Sequence, residues 1–135
     1  MNILFLCVAN SARSQMAEGL ARQMFGNTFY IQSAGVMRTQ VHPVAIEVMA
    51  EIGIDIRNQS SKEIEAIDLD SVEIVVTLCA EQVCPRVSGQ VKHFHWPLPD
   101  PSQASSLEEQ RENFRVVRGM ISKKLKQLAS EVQAI

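Results

Sequence analysis

The sequence predicts a small doubly wound α/β domain, and three observations carry that expectation. Short β-rich apolar runs alternate with stretches of helical periodicity, the pattern of strands joined by helical crossovers. The strongest run, "VEIVVTL" at 72–78, is nearly all β-branched, as strands covered on both faces of a parallel sheet are. Two of the runs end on a cysteine, Cys7 and Cys79. Doubly wound folds hold their ligands at the carboxyl ends of such strands.

Taken in order, Asn2–Cys7 is apolar and short and reads as a buried first strand. Met16, Ala17, Leu20, Ala21 and Met24 fall at helical spacing, so a helix is expected over 13–25, stopped by Gly26–Asn27. A second strand is expected over 28–33, ahead of "SAG", and a right-handed crossover would pair it parallel to the first. Pro43 opens a second helix expected to reach Ile52, with Gly53 just beyond. "IDIRNQSSK" is a connection, and "SSKEIEAI" has room for one or two helical turns. The third strand is 72–78, and "VKHFHW" at 91–96 is shorter and more polar, suiting a sheet edge. Leu107–Val132 forms a long final helix with Phe114, Val117, Ile121, Leu125 and Leu128 on one face. No repeat, linker or boundary divides residues 1–135, which read as one domain.

Composition narrows the function. Apolar residues make up 46% of the 135, enough for a core, and the net charge of −2 supplies no field for holding nucleic acid or an anionic membrane. No apolar run approaches the ~20 residues of a membrane span. "ILFLCVA" superficially resembles a leader, but no lysine or arginine precedes it, which favours a buried strand and a cytoplasmic protein. Three cysteines in that compartment point to redox, catalytic or metal chemistry, or to inert core thiols.

"CVANSARS" joins the first strand to the first helix. Val8, Ala9, Asn10, Ser11 and Ala12 are mostly small, so successive backbone N–H groups can turn inward into an anion-binding nest. The helix adds its positive N-terminal end, and Arg13 can grip two oxygens of a tetrahedral oxyanion. A thiol in such a field ionises readily, cysteines of this kind having pKa values of about 3.5–7.5. Cys7 is therefore expected to be a nucleophile aimed at a bound oxyanion, with Ser14 placed to donate a hydrogen bond to its sulfur. A lone buried cysteine would be the plainer reading; the Cys-x5-Arg-Ser spacing between a strand and a helix outweighs it.

"CVANSARSQMAEG" resembles the active-site loop of the low-molecular-weight protein tyrosine phosphatase fold. "SAG" at 33–35, "HP" at 42–43, "IGIDI" at 52–56, "VVTLC" at 75–79 and "DP" at 100–101 resemble its arsenate reductase branch, so the similarity spans nearly the whole chain. The resemblance implies a four-stranded parallel sheet in the order 2-1-3-4 with helices on both faces. It also implies a general acid in an Asp-Pro step, matched by Asp100, which would protonate the departing oxygen. A turn aspartate before proline is the ordinary alternative.

The same resemblance implies a three-thiol relay: Cys7 attacks arsenate, Cys79 attacks Cys7, and Cys84 takes over the disulfide and presents it to thioredoxin. No bound cofactor is expected. Five positions along a helix rise ~7.5 Å, too far for a disulfide, so the chain between Cys79 and Cys84 must loop. That short spacing leaves the electron donor open between thioredoxin and a glutaredoxin–glutathione system. A zinc site on Cys79 and Cys84 lacks a second ligand pair. Two other functions stay open: a phosphatase using Cys7, Arg13 and Asp100, and a non-catalytic oxyanion or redox sensor. Ser102, Gln103 and Ala104 supply no aromatic wall after Asp100, which counts against an aryl phosphate.

In the resembled reductases an asparagine, a glutamate, a serine and an aspartate surround a potassium ion. Asn10, Glu18 and Ser33 match, but Lys62 stands at the aspartate position, so its ammonium is expected to replace the ion. His42, His93 and His95 read as surface or structural residues, with no metal expected. Phosphate and sulfate are expected to compete with arsenate, and nothing demands more than a monomer.

Overall fold

The computed structural model describes residues 2–79 and 91–133. Its centre is a four-stranded, wholly parallel sheet in the order β2-β1-β3-β4. The strands are β1 (Asn2–Cys7), β2 (Tyr30–Gly35), β3 (Ile74–Cys79) and β4 (Lys92–Leu98). The helices are α1 (Arg13–Phe25), α2 (Pro43–Ala50) and α3 (Leu107–Gln133). From β1 the chain moves outward to β2, then returns across β1 to β3, so strand order reverses beside β1. In open α/β sheets that reversal leaves a crevice at the carboxyl ends of the strands.

Residues of all six positions of β3 are buried, as its β-branched run requires. Ile3, Phe5, Ile74, Val76 and Leu78 face a core built with α1, α2 and α3, into which α3 sends Phe114, Val117, Ile121, Leu125 and Leu128. Leu4, Leu6, Ala34 and Val75 face the opposite side, covered by Ile67, Val72 and Ile64 around two 3-10 turns, Ile64–Ala66 and Leu69–Ser71.

Element ends differ from expectation where local hydrogen bonds intervene. Gly26–Thr28 forms a 3-10 turn, so β2 starts at Tyr30 rather than residue 28 and runs on to Gly35, opposite Cys7. α2 ends at Ala50 instead of Ile52, because Ile52 N donates to Met49 O and Gly53 N to Ala50 O, tightening the last turn. Gly53 closes it with φ +78°, a conformation that favours glycine. β3 begins at Ile74 because Val72 N is engaged with Leu69 O in a 3-10 turn. β4 runs over 92–98, two residues further than expected, with a register irregularity opposite Thr77–Cys79.

Candidate active site at the carboxyl end of the sheet

Cys7, the last residue of β1, is buried and is not part of a disulfide. The loop after it turns on Asn10, whose φ of +48° is the one left-handed non-glycine conformation among the described residues. The loop rests directly on the end of β2. Val36 N and Met37 N both donate to Val8 O, and a Cβ at Gly35 would lie 2.7 Å from Val8 O and 2.8 Å from Asn10 N. Only glycine permits that approach, which is the physical meaning of "SAG".

Behind the loop lies a buried polar network with a fixed direction. Ser33 Oγ donates to Glu18 Oε1 at 2.6 Å and accepts from Asn10 Nδ2 at 2.9 Å. The same amide donates to Ser14 Oγ at 2.9 Å. With that oxygen accepting, the hydrogen of the fully buried Ser14 is left to donate elsewhere. Asn10 Oδ1 accepts from Lys62 N at 2.7 Å. Glu18 is 1% exposed and pairs with Arg22 at 2.9 Å, while Lys62 Nζ lies 4.0 Å from its other oxygen and donates to Ser60 O at 2.7 Å. Two cationic side chains already serve this carboxylate, so the residues do not fit a potassium ion as well.

α1 begins at Arg13 with no side-chain cap and no acidic residue in its first turn. Its first N–H groups are thus left for another acceptor. Arg13 is 4% exposed and its Nη1 donates to Leu98 O at 3.0 Å, fixing the guanidinium against the end of β4. Two residues on, Asp100 is half-buried and accepts from Ser102 N at 3.0 Å and Ser102 Oγ at 2.7 Å. Burial works to raise the Asp100 pKa. The Ser102 hydrogen bonds, the charge of Arg13 and a hydrogen bond from Gln103 together outweigh it and hold the carboxyl below its ordinary value.

Cys7, Ala9, Ser11, Ala12, Arg13 and Asp100 converge on one cavity of about 370 Å³. Its mouth is completed by Thr39, Gln40, His42, Pro43 and Ser102. Asn10, Ser14, Glu18, Ser33 and Lys62 lie behind the loop rather than in the cavity. Val8 does not line the cavity either; its carbonyl accepts from Val36 N and Met37 N and seats the loop on the end of β2. Cys79 is fully buried at the end of β3 and disulfide-bonded; it does not line the cavity. Cys84 lies outside the described residues.

The histidines divide. His93 and His95 sit on β4 against Thr77 Oγ1, at 3.3 and 2.7 Å. His42 belongs to the cavity, a correction to its reading as surface or structural only. Its N donates to Ser11 O, its Nδ1 accepts from Val44 N at 3.1 Å at the start of α2, and its ring lies 4.9 Å from that of Phe114. Burial lowers the His42 pKa, with Asp100 pulling the other way. "HP" signalled a helix start; no pattern signalled that Thr39, Gln40 and His42 would wall a cavity. No group of three metal-ligating side chains occurs among the described residues, and no described helix is long and apolar enough to cross a membrane.

Residues 2–135 match the low molecular weight phosphotyrosine protein phosphatase family. The chain belongs to that family. Within it, the chain is 42% identical over 130 residues to an arsenate reductase of Bacillus subtilis, covering 94% of each chain. It superposes on a solved arsenate reductase in a phosphate-binding state with a TM-score of 0.84, at 34% identity and covering 96% of this chain and 97% of that one. It is also similar to a thioredoxin-dependent arsenate reductase of Corynebacterium glutamicum, with a TM-score of 0.72, 25% identity and coverage of 96% and 62%. The sheet order and the helices of this family member match those reductase structures.

Proposed function

We propose that the protein is a cytoplasmic arsenate reductase, with residues 1–135 forming one domain of the family. The observation that carries this reading is the placing of two cysteines on neighbouring strand ends. β1 and β3 are adjacent, and Leu6 is paired with Thr77. Cys7 and Cys79 are then separated by one strand spacing of about 4.8 Å and a one-residue stagger of about 3.3 Å. That Cα separation suits the roughly 4.4–6.8 Å of a disulfide, but strand alternation sets Cys7 on the face of Phe5 and Leu78 and Cys79 on the opposite face with Val75, so the end of β3 must turn before the bond can form. Phosphoester hydrolysis has no use for the second thiol.

In the proposed reaction the N–H groups of residues 8–13, with the Arg13 guanidinium, hold arsenate against Cys7. An anion entering the cavity raises the pKa of Asp100, so the acid gains its proton as substrate binds. The Cys7 thiolate, stabilised by a hydrogen bond from Ser14, attacks As(V), and one oxygen leaves as water with the proton from Asp100. The Cys79 thiolate then attacks the Cys7 sulfur. The S–S bond forms, the S–As bond breaks, and its electron pair stays on arsenic, which departs as As(III) arsenite. Cys84 attacks Cys79, restoring the Cys7 thiolate, and an external dithiol reduces the Cys79–Cys84 disulfide. Similarity to a thioredoxin-dependent enzyme favours thioredoxin over glutaredoxin as that donor.

The cavity walls support an inorganic substrate. Thr39, Gln40, His42 and Ser102 offer polar edges where an aryl ester would need an aromatic platform. Phosphate and sulfate should compete. Lys62 supplies internally the positive charge beside Glu18, and the protein acts as a monomer. Family membership favours one second reading, a phosphatase using Cys7, Arg13 and Asp100.

A single turnover separates the two. Reduced Cys84→Ser protein mixed with arsenate should release one equivalent of arsenite and stop as a Cys7–Cys79 disulfide, detected by peptide mass spectrometry. No arsenite, together with undiminished aryl phosphate hydrolysis in a Cys79→Ser Cys84→Ser double variant, would leave the phosphatase.

A further inference from the structure

Gln15, in the first turn of α1, has no part in the chemistry above, yet it is fully buried and every polar atom of its side chain is engaged. Its Nε2 has three acceptors at 3.0 Å: Asn10 O, Asn10 Oδ1 and Ser60 O. Its Oε1 accepts from Gln59 Nε2 at 2.8 Å, and Gln59 also donates to Gln15 O at 3.0 Å. This orientation of the amide is chemically required, since the reverse would set an oxygen against three oxygens.

A trans peptide is planar, with its C=O and the next N–H pointing opposite ways. Gln15 draws the Asn10 carbonyl into the protein interior. The N–H of that same peptide belongs to Ser11, which lines the cavity. The left-handed φ of +48° at Asn10 completes the turn, and alternating handedness is what gathers N–H groups into an anion nest. Rotating this one peptide would point a carbonyl oxygen where an oxyanion must bind. A left-handed asparagine is itself costly and persists only where its surroundings over-determine it.

We propose that Gln15 is a positioning residue that locks the Asn10–Ser11 peptide with its N–H toward the oxyanion, and that Gln59 and the Ser60 carbonyl hold the lock in place. This rests on the oxyanion-binding reading of the cavity but not on arsenate reduction. Gln15 touches no substrate; it acts through the Ser11 N–H. In the empty site it keeps the nest formed, so binding does not have to reorganise the loop.

The test measures binding and thiol ionisation rather than turnover. Cys7 alkylation by iodoacetamide is followed by peptide mass spectrometry as a function of pH, with and without inorganic phosphate. Gln15→Met fills the same space without donors and should weaken phosphate protection about tenfold at every pH, the loss of about one well-made hydrogen bond. Gln15→Glu should be pH-dependent. When protonated it keeps one donor and protects Cys7 nearly as the native residue does; once ionised it faces three acceptor oxygens, and protection collapses.

A purely packing role would not produce that difference. If both variants bind phosphate within about twofold of the native protein across the pH range, with only melting temperature changed, the proposal is overturned. Should both fail to fold, Gln59→Met decides: a weaker shift in the same direction supports the lock, and unchanged protection overturns it. If native Cys7 is itself not protected by phosphate, the oxyanion reading has failed instead.

Discussion

Gly35→Ala tests how closely the anion loop is seated on the sheet. The new Cβ would lie 2.7 Å from Val8 O, 2.8 Å from Asn10 N and 3.1 Å from the Ala9 carbonyl carbon. These are backbone atoms, so no rotamer change relieves the contact. Close C···O contacts in proteins begin at about 3.3 Å, so the loop must recede by about 0.6 Å at Val8. Forcing a methyl group into a packed site costs about 1–3 kcal/mol of stability. A misplacement of about 1 Å at a reacting centre costs about 10²-fold, so roughly half that shift should lower kcat/KM for arsenate about tenfold. Phosphate protection of Cys7 should weaken in parallel. Gly119→Ala is the control: nothing lies within 4 Å of its Cβ, and in mid-helix it should stabilise by about 0.5–1 kcal/mol with no change in activity. The reasoning is refuted if Gly35→Ala keeps native phosphate affinity and native kcat/KM.

Three further outcomes are expected. Asp100→Asn should slow arsenate-dependent consumption of the Cys7 thiol by about 10²-fold or more while leaving phosphate affinity largely intact, as loss of a general acid does; stopped-flow thiol trapping measures both. Potassium and sodium should support equal activity in the native protein, and Lys62→Met should cost about 1 kcal/mol or less, as a partly exposed pair does; a strong rise with potassium over sodium in the native protein would contradict the role given to Lys62. Glu51 is exposed, and hydrogen bonds from Arg115 and then Arg118 lower its pKa from the ordinary 4.5 to about 2. A lowered folded-state pKa stabilises above about pH 4.5 and loses that contribution as pH falls toward 2, so Glu51→Gln should flatten thermal stability across that interval, less visibly at high salt.

Much of this was legible in the chain because the signals were local. β1 and α1 lie where an apolar run ending on Cys7 and a 3.6-residue period beginning at Arg13 put them. That Cys7 and Arg13 would meet at one cavity was legible because spacing and context agree within a short motif, and Asp100 joined them through the resemblance. The resemblance carried strand order, which periodicity does not encode. β2 was displaced because Gly26–Thr28 spends those residues on a 3-10 turn, which β-rich composition does not reveal. His42, Thr39 and Gln40 escaped because their place in the cavity depends on how α2 docks near Ser11 and Phe114, contacts spanning 31 and 72 residues. Gln15 escaped for a similar reason: buried glutamine is unusual, but its acceptors include Ser60, 45 positions away.

The central claim is that Cys7, Cys79 and Cys84 pass one oxidation outward to a thiol partner. The most direct measurement is arsenate-dependent NADPH oxidation with thioredoxin and thioredoxin reductase, beside a parallel glutathione–glutaredoxin mixture. The account predicts turnover with thioredoxin that disappears in Cys84→Ser, Cys79→Ser and Cys7→Ser. No turnover with either donor, beside brisk hydrolysis of an aryl phosphate, would contradict it.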